Sequence, residues 1–194
     1  LFPYTTLFRS IGVSDLIRLE TYLIPLVEPV YSSAEYFAVV GLSNWTRILV
    51  DGLSISIIPK YVHLSFQEAR ALALRRTIYT FIITVFALVA CLTLCENILQ
   101  LVVSNKYGSV SGLFFAFSTA LLLSSLRRMY LDAFRTHGLA NSKAATRFEI
   151  QCWVISIIPL PILFSHSSME MWAWLTLCSN FAALCFLVYR GQRW

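Results

Sequence analysis

The chain has 194 residues, of which 58% are hydrophobic and only 13% charged, with a mean hydropathy of +0.70 and a formal net charge of +5. A typical soluble domain carries about 25% charged residues, so this balance points first to a membrane class. The basic residues sit between apolar runs rather than in one patch, which argues against nucleic acid as a partner.

In chain order, residues 1–10, LFPYTTLFRS, are apolar and aromatic, too short to span a bilayer and without the basic start of a signal peptide. They resemble the conceptual translation of a common short-read sequencing adapter. Residues 1–10 are therefore expected to be a non-native extension, and 11–194 a fragment. Ile11 to Pro29 carries Asp15, Arg18, Glu20 and Glu28, and Glu35 to Lys60 carries Arg47 and Asp51. Both stretches are helix-length and mostly apolar, with Pro29 and Pro59 as expected boundaries. They are predicted to be spans whose charges face a bundle interior or a watery cavity. Phe66 to Arg76 suits a surface helix.

Four charge-free runs follow: Thr77 to Cys95, Tyr107 to Leu126, Ile150 to Met169 with Pro159 and Pro161, and Met171 to Tyr189. The predicted fold class is all-α, a polytopic membrane protein. Its six transmembrane helices lie at about 11–29, 36–59, 77–97, 107–128, 148–166 and 170–189, forming one lobe of a two-lobe transporter. One basic connection holds Lys60, Arg70, Arg75 and Arg76, and another Arg127, Arg128, Arg135, Lys143 and Arg147, while the tail adds Arg190 and Arg193. The connections between them hold only Lys106 among Lys and Arg. The positive-inside rule then predicts an inner-membrane protein with both ends cytoplasmic. Arg127 to Arg135 reads as a cytoplasmic extension of the fourth helix, stopped at Gly138.

No GxxxxGK[ST], HExxH or GxSxG motif is present, and His63, His137 and His166 are scattered. Cys91, Cys95, Cys152, Cys178 and Cys185 lie in apolar runs and are expected to be buried small hydrophobes. No catalytic residue, metal site or cofactor is predicted, and no enzyme. The candidate residues are the charges within spans, each costing about 2.5–3.5 kcal/mol to bury in lipid. Arg47 and Asp51, four apart, share a helix face and are expected to pair. Arg47, Arg18, Asp51 and Asp15 are the predicted substrate-binding cavity charges, with structural pairing or snorkelling as the open alternative for Asp15 and Arg18. Arg47 could grip a phosphate bidentately, and Asp51 could balance it or take part in cation coupling.

The turn Tyr31-Ser-Ser-Ala-Glu-Tyr36-Phe, the run Ser54-Ile-Ser-Ile-Ile-Pro59-Lys60 and Asn105-Lys106-Tyr107-Gly108 stand in sequence, followed by the Arg-bearing segment ahead of Gly138. In that order they resemble one lobe of a polysaccharide flippase of the multidrug/oligosaccharidyl-lipid/polysaccharide exporter superfamily. The resemblance implies a transporter of two six-helix lobes that flips a lipid-linked oligosaccharide for surface polysaccharide biosynthesis. The implied partners are the lipid bilayer, an anionic lipid-linked oligosaccharide, the missing second lobe and a coupling cation. Arg47, and after it Arg18, would belong to its positive cavity. The alternatives are a fragment of a membrane-embedded polysaccharide polymerase or glycosyl or acyl transferase, and a small-solute transporter.

Overall fold

The structure, a computed structural model, describes residues 30–103, 111–159 and 169–193. The residue 1–10 extension, the first expected span, Asp15 and Arg18 lie outside the described residues. The described elements are five helices: α1 (Val30–Val62), α2 (Phe66–Val103), α3 (Ser111–Arg135), α4 (Gly138–Ile157) and α5 (Met169–Arg193).

Their boundaries depart from the predicted spans for local chemical reasons. α1 runs through Pro59, which sits inside the helix and ends nothing. A proline three residues from a helix end removes one backbone donor but leaves the final turn room to relax. The turn after α1 is closed by the Leu64 amide donating to the Tyr61 carbonyl at 3.2 Å. A reciprocal cap then starts α2. The Ser65 amide donates to Glu68 Oε2 at 3.0 Å while the Glu68 amide donates to Ser65 Oγ at 3.4 Å. Donation from Ser65 holds the exposed Glu68 carboxyl below its ordinary pKa. The expected surface helix Phe66–Arg76 and the expected third span are thus one continuous helix of 38 residues. α3 does extend to Arg135, and Gly138 takes φ of +80°, a left-handed conformation that favours glycine. The chain then re-enters a helix at once, so α4 occupies much of what reads as a basic loop.

α3 packs against each of the other four helices, most extensively against α1 and α5. It supplies most of the largest fully buried side chains among the described residues: Leu122, Leu123, Leu126, Met129, Tyr130, Leu131 and Phe134. A helix buried on nearly every side is a central one. Phe134 meets Phe66 and Phe148 edge-on at 5.2 Å and 6.0 Å between ring centroids, tying the start of α2 and the middle of α4 to the end of α3. Near the top of α1, small hydroxyl residues allow close approach. Ser118 Oγ donates to Ser43 Oγ at 2.9 Å, and Thr46 Oγ1 approaches the Ser118 carbonyl at 3.2 Å.

This architecture corrects the six-span lobe. Among the described residues only two helical stretches, Phe66–Ala90 and Glu170–Arg193, are long and apolar enough to cross a membrane by length and composition. The topology argument fails for a separate reason. Arg127 and Arg135, counted as cytoplasmic loop charges, lie inside the packed bundle, where they bind α4 and α5. The inner-membrane placement with both ends cytoplasmic therefore loses its basis.

The end of α5 is held by a close approach. A Cβ added at Gly191 would stand 2.6 Å from the Tyr130 hydroxyl, and Arg70 donates to the Gly191 carbonyl at 3.0 Å. Tyr130 is fully buried and cannot swing aside. Gly191→Ala is expected to destabilise the fold by about 1–3 kcal/mol, the usual range for overpacking. Chemical denaturation of the two proteins measures it.

Candidate functional site

Polar side chains mark α3 at successive levels, and they fall into two kinds. The first kind is saturated. Arg127 is 5% exposed, and its guanidinium donates only to uncharged acceptors. Nη1 reaches Ser156 Oγ at 2.6 Å and the Cys152 carbonyl at 3.3 Å, and Nη2 reaches Asn180 Oδ1 at 3.0 Å and Ser124 Oγ at 3.3 Å. Asn180 is oriented in turn by donating to the Thr176 carbonyl at 2.8 Å. One side chain thereby joins α3, α4 and α5. Burial pushes the Arg127 pKa down from its ordinary value, against the attraction of Cys152 and Glu149.

Arg135 is also saturated. It donates to Glu149 Oε2 on α4 at 2.6 Å and to Asp132 Oδ1 at 3.0 Å, and Asp132 accepts from Ser54 Oγ of α1 at 2.7 Å. Burial disfavours the charge on Arg135, but the two carboxylates outweigh it and raise its pKa. His137, just beyond α3, sets Nε2 at 2.9 Å from the Leu64 carbonyl and Nδ1 at 2.8 Å from the Ala133 carbonyl. It thus bridges the two interhelical turns.

The second kind is open. Arg47 and Asp51 of α1 do pair, with Nε and Oδ2 at 3.4 Å, as their spacing predicts. The structure adds Arg128 of α3, whose Nη1 stands 3.8 Å from the same oxygen. The side chains of Arg47, Arg128 and Asp51 are 24%, 23% and 29% exposed, so the cluster sits at the edge of the α1–α3 contact. Sequence reasoning missed Arg128. Its only signal was position, directly after a charge-free run, and nothing local ties it to Asp51. Asp15 and Arg18, the other expected cavity charges, lie outside the described residues. Among the described residues no group of three or more His, Cys, Asp or Glu could hold a metal ion.

No family model matches the chain, and neither a curated protein nor a solved structure matches it. The flippase resemblance is corrected by the fold itself. The described part is a tightly packed five-helix bundle with interhelical ion pairs and hydrogen bonds, and it has two helices both long and apolar enough to cross a membrane where the lobe needs six. The readings as flippase, membrane polymerase or transferase, and small-solute transporter rested on that lobe. They fall with it. So do the bilayer, the lipid-linked oligosaccharide, the second lobe and the coupling cation as partners.

Removing Arg127 would take a charged donor from the Cys152 carbonyl, Ser156 Oγ and Asn180 Oδ1, at about 1.5–3 kcal/mol per hydrogen bond to a charged group. Arg127→Ala and Arg127→Lys are both expected to lower the denaturation midpoint clearly, since a lysine cannot reproduce the planar fork. Burial also pushes the Cys152 thiol up from its ordinary 9.0 to about 11. A thiol kept protonated by folding adds no pH dependence below the unfolded value. It costs stability progressively as the pH rises toward the folded value. Stability is therefore expected to fall between pH 9 and 11, less steeply in Cys152→Ser, as followed by equilibrium unfolding across that range.

Proposed function

We propose that the chain is a helix-bundle binding module whose site is the Arg47–Arg128–Asp51 cluster, and whose ligand presents an oxyanion, a carboxylate or phosphate group. The carrying observation is the looseness of that cluster. Two guanidiniums converge on one carboxylate oxygen at 3.4 and 3.8 Å, both longer than the roughly 2.7–2.9 Å of a strong charge-assisted bond. Among the described residues, Arg128 has no acceptor within hydrogen-bonding distance, and Arg47 has only Asp51. Arg127 and Arg135, on the side of α3 that meets α4, have theirs filled at 2.6–3.3 Å. A guanidinium presents a planar fork of donors that matches an oxyanion, and half-buried donors gain more from an added acceptor than fully solvated ones. In this reading the module binds and does not catalyse.

Titration calorimetry with benzoate and with inorganic phosphate tests the reading. Arg47→Ala and Arg128→Ala are each expected to weaken binding at least about tenfold, given about 1.5–3 kcal/mol per hydrogen bond to a charged group. Arg75→Ala, an exposed arginine of α2, should leave it unchanged. Equal affinities in all four proteins would remove the site.

A further inference from the structure

Apart from the oxyanion site, which lies between α1 and α3, we propose that the outer face of α5 is a self-association surface. Two copies of this chain pair there through antiparallel α5 helices, about a two-fold axis at the midpoint between Phe181 and Ala182. Trp174, Cys178, Phe181, Ala182, Cys185 and Tyr189 recur at helical spacing and form one exposed stripe. Asn180, Ala183 and Leu187, on the opposite side of the helix, are buried where α5 packs on α3 and α4. The stripe holds no charged residue, and its large members stay open to water: Trp174 is 41%, Phe181 51% and Tyr189 52% exposed. A continuous apolar face of this kind marks a surface that another body covers.

The chemistry of the stripe makes that body a second copy. Trp174 and Tyr189 stand equally far from the midpoint, as do Cys178 and Cys185. Two antiparallel copies therefore set aromatic beside aromatic and thiol beside thiol, while Phe181 meets its own copy at the axis. The ends of the helix are matched in charge as well. Exposed Glu170 stands at its start and exposed Arg190 and Arg193 at its end. Antiparallel pairing sets each acidic end beside the basic end of the other copy, whereas parallel pairing would set like charges together. The stripe leaves on the order of 500 Å² of mostly apolar surface per copy, against the ~800 Å² that each partner of a standard interface buries. Half-buried Leu175 and Val188 flank it and add to the contact. The Arg193 guanidinium lies 4.4 Å from the centroid of the Tyr189 ring, so one end of the stripe is ordered before pairing.

Sedimentation equilibrium under reducing conditions should give twice the 22.1 kDa mass of one chain. Phe181→Glu brings two carboxylates together at the axis and should weaken the dimer at least about a hundredfold. Circular dichroism checks that this exposed substitution leaves the helical fold in place. Oxidation with copper phenanthroline then reads the register. Antiparallel pairing joins Cys178 of one copy to Cys185 of the other, so the wild-type dimer should become disulfide-linked. Cys178→Ser or Cys185→Ser alone should then reduce the cross-link to the background of the double variant. A monomeric wild-type chain at high micromolar concentration overturns the proposal, and so does a dimer that Phe181→Glu leaves unweakened. A wild-type dimer that forms no cross-link, or one whose cross-link survives each single variant above that background, overturns the antiparallel register.

Discussion

A full positive charge sits in the middle of this bundle, and among the described residues no carboxylate is bonded to it. Arg127 is tolerated there because its guanidinium meets oriented acceptors: a carbonyl, two hydroxyls and an amide oxygen. Those acceptors come from three helices, so the charge is satisfied only when α3, α4 and α5 hold one relative arrangement. Leaving such groups unpaired costs far more than pairing them gains. The apolar core around α3 supplies the drive to pack, since burial is favourable for any register that hides the same side chains. The Arg127 network narrows that choice to one. Arg135 repeats the device a little over two turns later, joining α4 through Glu149 and reaching α1 through Asp132 and Ser54.

Against these filled sites the Arg47–Asp51–Arg128 cluster differs in kind. Arg127 is buried and Arg135 half-buried, and both have short contacts and lie between helices, which are the properties of structural polar groups. The open pair lies at the rim of the α1–α3 contact with long contacts: Arg47 donates to Asp51 at 3.4 Å, and among the described residues Arg128 has no acceptor within hydrogen-bonding distance. Partial exposure leaves these charges hydrated, so they add little to stability. It is also what makes them reachable by a ligand.

Much of the secondary structure was legible in the sequence. Two of the charge-free runs, Thr77 to Cys95 and Met171 to Tyr189, lie wholly in helices, whereas the run from Ile150 is helical only to Ile157 and turns at 158–159; α3 ran on to Arg135, and Gly138 marked the turn because only a residue without a Cβ takes φ of +80° easily. Pro59 misled because a proline ends a helix less strictly near its last turn than in its middle. The run from Phe66 to Arg76 misled because two adjacent basic residues, Arg75 and Arg76, look like a break between segments. In a helix of 38 residues they are a local band of charge. The largest error came from counting arginines as loop residues. Hydropathy treats a charge as a mark of solvent, and it has no means of recognising Arg127, whose acceptors on the other helices are 25 to 53 residues further along the chain.

By itself, the sequence determined that the chain is helical, where most helices run, and that Arg47 and Asp51 share a face, since all of these follow from spacing along a few turns of backbone. Only the tertiary structure decided that α3 is central, that Arg127 and Arg135 are interior, and that Arg128 completes the open cluster with Asp51. The physical reason is range. Helix periodicity is set by neighbours within four residues, whereas a buried charge is stabilised by acceptors that approach only after distant helices have packed.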